Sequence, residues 1–106
     1  METDKWSKSE KAVARRACQA ACNREVTGIV DEVRARVAQL KDPADIWKVN
    51  DFLYRKRRDI DDKYDCRFSV MVLVLARLVR EGWLKREELE GLSEEKLRQI
   101  DVILAL

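Results

Sequence analysis

The chain has 106 residues, 46% hydrophobic and 40% charged, with three glycines and one proline, which is one domain's length in the balance of a helical protein with few sharp turns. Its 22 Lys+Arg against 20 Asp+Glu leave a net charge of +2, so the total carries no polyanion-binding signature. It contains no histidine and no CxxC pair, which excludes the usual zinc sites, and neither a metal nor a cofactor is expected.

The opening stretch METDKWSKSEK has no apolar h-region and is not a secretory signal. Ser7 followed by Glu10 is a capping-box pattern, and no proline intervenes before Pro43. The pattern predicts one long helix over 8–40. Cys18 and Cys22 lie one turn apart among alanines and read as small, reduced core side chains of a cytosolic protein. From Cys22 onward, Val26, Val30, Val33, Val37 and Leu40 recur at 4-4-3-4-3 spacing, close to a coiled-coil seam. Gly28 lies inside that seam and weakens the helix locally.

Asp42 and Pro43 mark the next start, as N-cap and first helical residue, with Asp45 in the first turn. This second helix runs to about Asp62 and carries two stripes. Ile46, Val49, Leu53, Ile60 and Tyr64 form the apolar one that folding needs. Trp47, Asp51, Tyr54, Arg58 and Asp65 form another, centred about 140° away. A large aromatic held on a polar face beside carboxylate and guanidinium groups has the character of a binding hot spot.

The aspartates of residues 61–65 suit a bend. Phe68 to Val79 is apolar almost all round and reads as a buried helix stopped by Gly82; its valines alone would fit a strand, but no partner strand exists for them. The run Val70 to Ala76 is far shorter than the roughly 20 residues of a membrane span and is flanked by Arg67 and Arg77. Trp83 and Leu84 cover this head, Lys85 to Glu90 form a short helix, and Ser93 caps a last helix carrying Leu97, Ile100, Ile103 and Leu104.

The expected architecture is therefore all-α, with a long helical hairpin over 1–64 and a small helical head over 65–106. A first helix of about 33 residues spans roughly 50 Å, whereas a compact chain of this size has a radius of gyration near 13 Å. A single copy cannot cover it. An antiparallel homodimer can, with the interface on Val26, Val30, Val33, Val37 and Leu40.

The run WKVNDFLYRKRRDIDDKYDCRFSV at 47–70, Ala76 and Leu78, and EGWLKREEL at 81–89 resemble the fluorescence recovery protein family of cyanobacteria. The shared pattern is Trp47-Lys48, Asp51-Phe52-Leu53, Lys56-Arg57, Ile60-Asp61, Lys63-Tyr64-Asp65, Arg67, Ser69-Val70, Glu81-Gly82 and Glu88-Leu89, joined by the pair Arg24-Glu25 in the first helix. It falls on core and solvent faces alike. The resemblance implies a cytoplasmic, non-catalytic homodimer, peripheral to the thylakoid membrane, that binds the photoactivated orange carotenoid protein at its C-terminal domain. Such binding speeds the return from red to orange and ends phycobilisome quenching. The residues carried over as partner contacts are Trp47, Asp51 and Arg57, with Asn50 where the family has histidine; Tyr54 extends the same surface. Asparagine still donates and accepts hydrogen bonds but cannot titrate. Leu73 stands where the pattern has an aromatic.

Other readings of the same residues compete. Trp47 could pack against the first helix or a second subunit, Asp51 could pair with Arg55, and Arg57 with Asp61, four residues on. The basic run Arg55 to Arg58 could serve a small nucleic-acid-binding regulator, and a related helical dimer with a different partner is a further alternative. An enzyme is the weakest reading, because no histidine, activated nucleophile or phosphate loop accompanies the carboxylates.

Overall fold

The computed structural model describes residues 5–106; residues 1–4, which open the expected 1–64 hairpin, lie outside the described residues. The chain is all-α. Four helices follow in order, α1 (Lys8–Ala38), α2 (Ile46–Lys63), α3 (Met71–Arg80) and α4 (Glu94–Ala105), with single 3-10 turns at Pro43–Asp45 and Arg86–Leu89.

The helix ends follow from local chemistry. At the start of α1 the Glu10 N–H donates to Ser7 Oγ at 3.1 Å while the Ser7 N–H donates to Glu10 Oε1 at 3.0 Å, the reciprocal capping box the sequence suggests. The helix passes through Gly28 without a break, and the Trp83 ring lies 3.8 Å from where a Cβ would stand there. It stops at Ala38, two residues short of the expected end. Ahead of α2, Asp42 Oδ1 accepts the Ala44 N–H at 3.0 Å with Pro43 at the first position.

The third helix begins at Met71 rather than Phe68. Residues 68–70 close a turn instead, with the Val70 N–H donating to the Arg67 carbonyl at 3.1 Å. That turn lays Phe68 against Trp6, ring centroids 5.2 Å apart, beneath the cations of Lys11 and Arg15. α3 ends in a Schellman arrangement: Gly82 takes φ +88°, its N–H meets the Val79 carbonyl, and the Trp83 N–H meets the Leu78 carbonyl at 2.9 Å.

The core lies at one end of the molecule. Met71, Leu75 and Leu78 of α3, Leu89, and Ile100 of α4 are fully buried against Val13, Ala14, Ala17, Cys18 and Ala21 of α1. The alanines of α1 let α3 and the 83–92 segment come close to its backbone. At Gly91, with φ +111°, a Cβ would stand 2.8 Å from Val13 Cγ2, so only glycine fits. Each large side chain sequestered here contributes about 1.5–3 kcal/mol relative to exposure.

The other end is a two-helix hairpin of the second half of α1 and α2, which extends the molecule to 57 × 27 × 23 Å and raises its radius of gyration to 17.1 Å, well above the roughly 13 Å of a compact chain. The face of α2 turned to α1 is not the stripe the sequence favours. Val49 and Phe52 are buried and Ile60 is half-buried, but Ile46 and Leu53 are exposed. Apolar periodicity marks a stripe without saying how much of it the same chain covers. Here α1 takes the Val49–Phe52 edge and leaves the Ile46–Leu53 edge bare.

Candidate partner-binding surface

Trp47, Asn50, Asp51, Tyr54 and Arg57 all project from one continuous helix, α2, and all are exposed. Trp47 retains 68% of its accessible surface and Tyr54 63%, so packing of Trp47 on α1 is ruled out within one chain. Trp47 and Tyr54 are two turns apart, about 10.5 Å along the axis, with Asp51 between them on the side pointing away from α1. Asn50 and Arg57 lie nearer the Ile46–Leu53 edge. Arg57 Nε donates to Asp61 Oδ1 at 3.3 Å, an exposed pair one turn apart, whereas among the described residues no ion pair joins Asp51 to Arg55.

The expected seam residues divide into two sets. Val33 and Leu40 are half-buried, while Val26, Val30 and Val37 are exposed at 40–45%. Since α1 and α2 run antiparallel, advancing round each helix from their shared contact brings Val26, Val30 and Val37 to the same side of the hairpin as Ile46 and Leu53. Five apolar side chains from two helices therefore form one bare surface, with Asn50 and Arg57 at its border and Trp47 and Tyr54 beyond them.

The basic run does not form a cationic face. Consecutive helical residues point 100° apart, so Arg55, Lys56, Arg57 and Arg58 surround the helix. Lys56 turns toward the Phe52 ring, which the Arg36 guanidinium covers at 4.0 Å from the centroid. Arg55 and Arg58 line an open cleft together with Glu32, Asp59 and Asp62, where their charge is offset.

A polar cluster that the sequence reading did not single out fixes the hairpin to the head. Lys63, the last residue of α2 and 8% exposed, donates to Glu25 Oε2 at 2.7 Å and Glu81 Oε1 at 2.6 Å. Tyr64 donates its hydroxyl to Glu25 Oε1 at 2.8 Å, and Arg77 Nε meets Glu81 Oε2 at 2.9 Å. Burial alone would lower the Lys63 ammonium, but the two carboxylates outweigh it and hold its pKa above the ordinary value; burial and Glu25 together push the Tyr64 phenol up. Beside it, Arg24 grips Glu88 through both Nη atoms at 2.8 and 2.7 Å and donates to the Trp83 carbonyl at 2.9 Å. Arg24-Glu25, Lys63-Tyr64, Glu81 and Glu88 all belong to the family pattern, and the signal for them was a lysine at the register of the buried Val49–Phe52 edge.

The family described as photoprotection regulator fluorescence recovery protein matches residues 6–104 of this chain. The chain belongs to the fluorescence recovery protein family. It is similar to the fluorescence recovery protein of Synechocystis, 39% identical over 101 residues that cover 95% of this chain and 93% of that protein. Among solved structures it is similar to the Fremyella diplosiphon fluorescence recovery protein, 40% identical with a TM-score of 0.87, and to that of Synechocystis sp PCC 6803, 38% identical with the same score; each alignment covers 96% of this chain and all of the other. The match thus reaches beyond 47–89 and the Arg24-Glu25 pair to the rest of α1 and to α4. No described helix is long and apolar enough to cross a membrane.

Proposed function

We propose that this chain is a non-enzymatic homodimer that binds the photoactivated orange carotenoid protein at its C-terminal domain. Binding accelerates the red-to-orange return and so ends photoprotective quenching. Membership of a photoprotection-regulator family supports the class of function. The observation that carries the site is the bare Trp47–Tyr54 ridge on a helix whose opposite face is anchored to α1. A rigid aromatic pair loses little conformational freedom on docking, and Asp51, Asn50 and Arg57 add directional hydrogen bonds around it. Acceleration is a population shift: a protein that binds best to a domain arrangement on the return path lowers the barrier to that return.

The homodimer rests on the Val26–Val30–Val37 and Ile46–Leu53 surface. An antiparallel two-fold pairing through Val26, Val30, Val33, Val37 and Leu40 covers it and leaves the heads at the two ends.

The test is the dark relaxation of photoactivated orange carotenoid protein with and without this protein. The expected result is faster relaxation and a complex on a sizing column. Trp47→Ala should keep helicity and dimer size while weakening the complex about 30-fold, the loss of about 2 kcal/mol typical of an aromatic hot spot. No change in relaxation rate with the wild-type protein would overturn the partner assignment; unfolding of Trp47→Ala would overturn the site. Asn50 and the exposed Leu73 support one other reading, a helical dimer of this family turned toward a different partner. The same assay separates the two.

A further inference from the structure

The three cysteines, dispersed in sequence, converge in space. Cys18 and Cys22 face the same way from successive turns of α1, and Cys66 comes to them from the 64–67 linker between α2 and α3. Together with Arg15, Gln19 and Tyr64 they line one cavity of about 300 Å³. The linker is tied on both sides of Cys66: Tyr64 is held by Glu25, and Phe68 is wedged against Trp6. Cys66 is exposed, whereas Cys18 is 4% exposed with its sulfur 3.6 Å from Met71 Sδ. Among the described residues no cluster of cysteine and carboxylate side chains has the geometry to hold a metal ion, so the convergence is not a metal site.

We propose that Cys66 is a peroxide-reactive thiol that closes onto Cys18 as an intramolecular disulfide, clasping the linker to helix α1. The Cys66 sulfur attacks one oxygen of a hydroperoxide, the O–O bond breaks, and with hydrogen peroxide the departing hydroxide leaves as water with the proton that the Cys66 thiol gives up. Cys66 is left as the sulfenic acid. The Cys18 sulfur then displaces the sulfenic hydroxyl, which leaves with the Cys18 proton as a second water. The two sulfurs give up two electrons in all, and one peroxide becomes two waters.

The order of events follows from the surroundings. Burial raises the Cys18 thiol to about 12, reinforced by the neighbouring Cys66 and Cys22, so it stays protonated and does not meet the oxidant first. Cys66 is on the open side and does. Cys18 and Cys22 do not pair with each other, because successive turns of a helix hold Cβ atoms about 5–6 Å apart and a disulfide needs about 3.5–4.5 Å. Cys66 sits in a segment without helical hydrogen bonds, which can adjust to that geometry. Closure would fasten the chain beside the Lys63–Glu25–Glu81 cluster.

The test treats the full-length reduced protein with a small excess of hydrogen peroxide and follows intact mass, maleimide labelling and thermal midpoint. The wild type and Cys22→Ser should each lose two hydrogens, become unreactive to maleimide at Cys66, and gain about 5 °C in midpoint, all reversed by dithiothreitol. Cys66→Ser, a change at an exposed position that leaves the fold intact, should show none of this. Sulfinic acid on Cys66 with Cys18 still reduced would overturn the proposal, as would a dimer cross-linked through Cys66 or a bridge that survives Cys18→Ser.

Discussion

The two ends of this molecule use apolar residues differently. At the head, Met71, Leu75, Leu78, Leu89 and Ile100 have no accessible surface, and Ala14 and Ala21 of α1 are equally covered. Along the hairpin, Val49 and Phe52 are buried, while Val26, Val30, Val37, Ile46 and Leu53 remain open to solvent. The head closes round these residues, although Leu73 and Val102 stay exposed on its surface. A hairpin with five open aliphatic side chains on one side has the character of half an interface.

Substitutions separate the two ends. Leu75→Ala in the head leaves a cavity in a site with no free surface and should cost about 2–5 kcal/mol in denaturant unfolding. In a domain of this size that is a large part of the total. Lys63→Ala removes the cation shared by Glu25 and Glu81 at the junction, leaving Glu25 with the Tyr64 hydroxyl and Glu81 with Arg77, and should cost about 1–3 kcal/mol; a change below about 0.5 kcal/mol would mean that the hairpin is held by apolar contact alone. Val30→Asp places a charge on the bare face and should weaken self-association by at least about tenfold, roughly 1.4 kcal/mol, measured by sedimentation, with far-UV helicity preserved. A head that unfolded with it would show that the two ends are not separable.

Acid should act on the head through Glu10. Burial alone would raise its carboxyl, but the backbone N–H groups of Ser7 and Ser93 and the Lys96 ammonium outweigh that and hold it at about 2, against an ordinary 4.5. A carboxylate whose folded pKa lies below its unfolded value stabilises fully above pH 4.5, and that contribution fades as pH falls toward 2. Glu10→Gln should flatten this part of the stability–pH curve by about 1–2 kcal/mol. The smallest effect is at Asp61. Asp61→Ala removes an exposed partner of Arg57 and should change stability by less than about 0.5 kcal/mol; a larger loss would move Arg57 from the proposed docking surface to the scaffold.

The punctuation of the chain was legible in advance. Ser7 with Glu10, Asp42 with Pro43, Gly82 and Ser93 each act through neighbours within a few residues, and each lies where its local chemistry places it. That Trp47 lies off the apolar stripe was legible too, from its wheel angle; that α1 leaves it uncovered was not. The rotation of α2 was not, since covering by α1 and covering by a second chain leave the same periodic trace. The start of α3 was missed because Phe68 continues the apolar run but turns back to Trp6, a residue 62 positions away in sequence. The Lys63 cluster escaped for a similar reason: its partners, Glu25 and Glu81, lie 38 and 18 residues away.

One helix belongs to both ends. The alanine-rich half of α1 is embedded in the head and its valine-rich half borders the hairpin, with no break in its 31 residues. Such a helix is a stiff lever about 46 Å long. A bend of about 10° at its middle would swing either end by about 4 Å, so any torque on the distal end arrives at the head as a displacement rather than dissipating in a loop. The angle at which the head is presented is thereby written into the backbone of a single element.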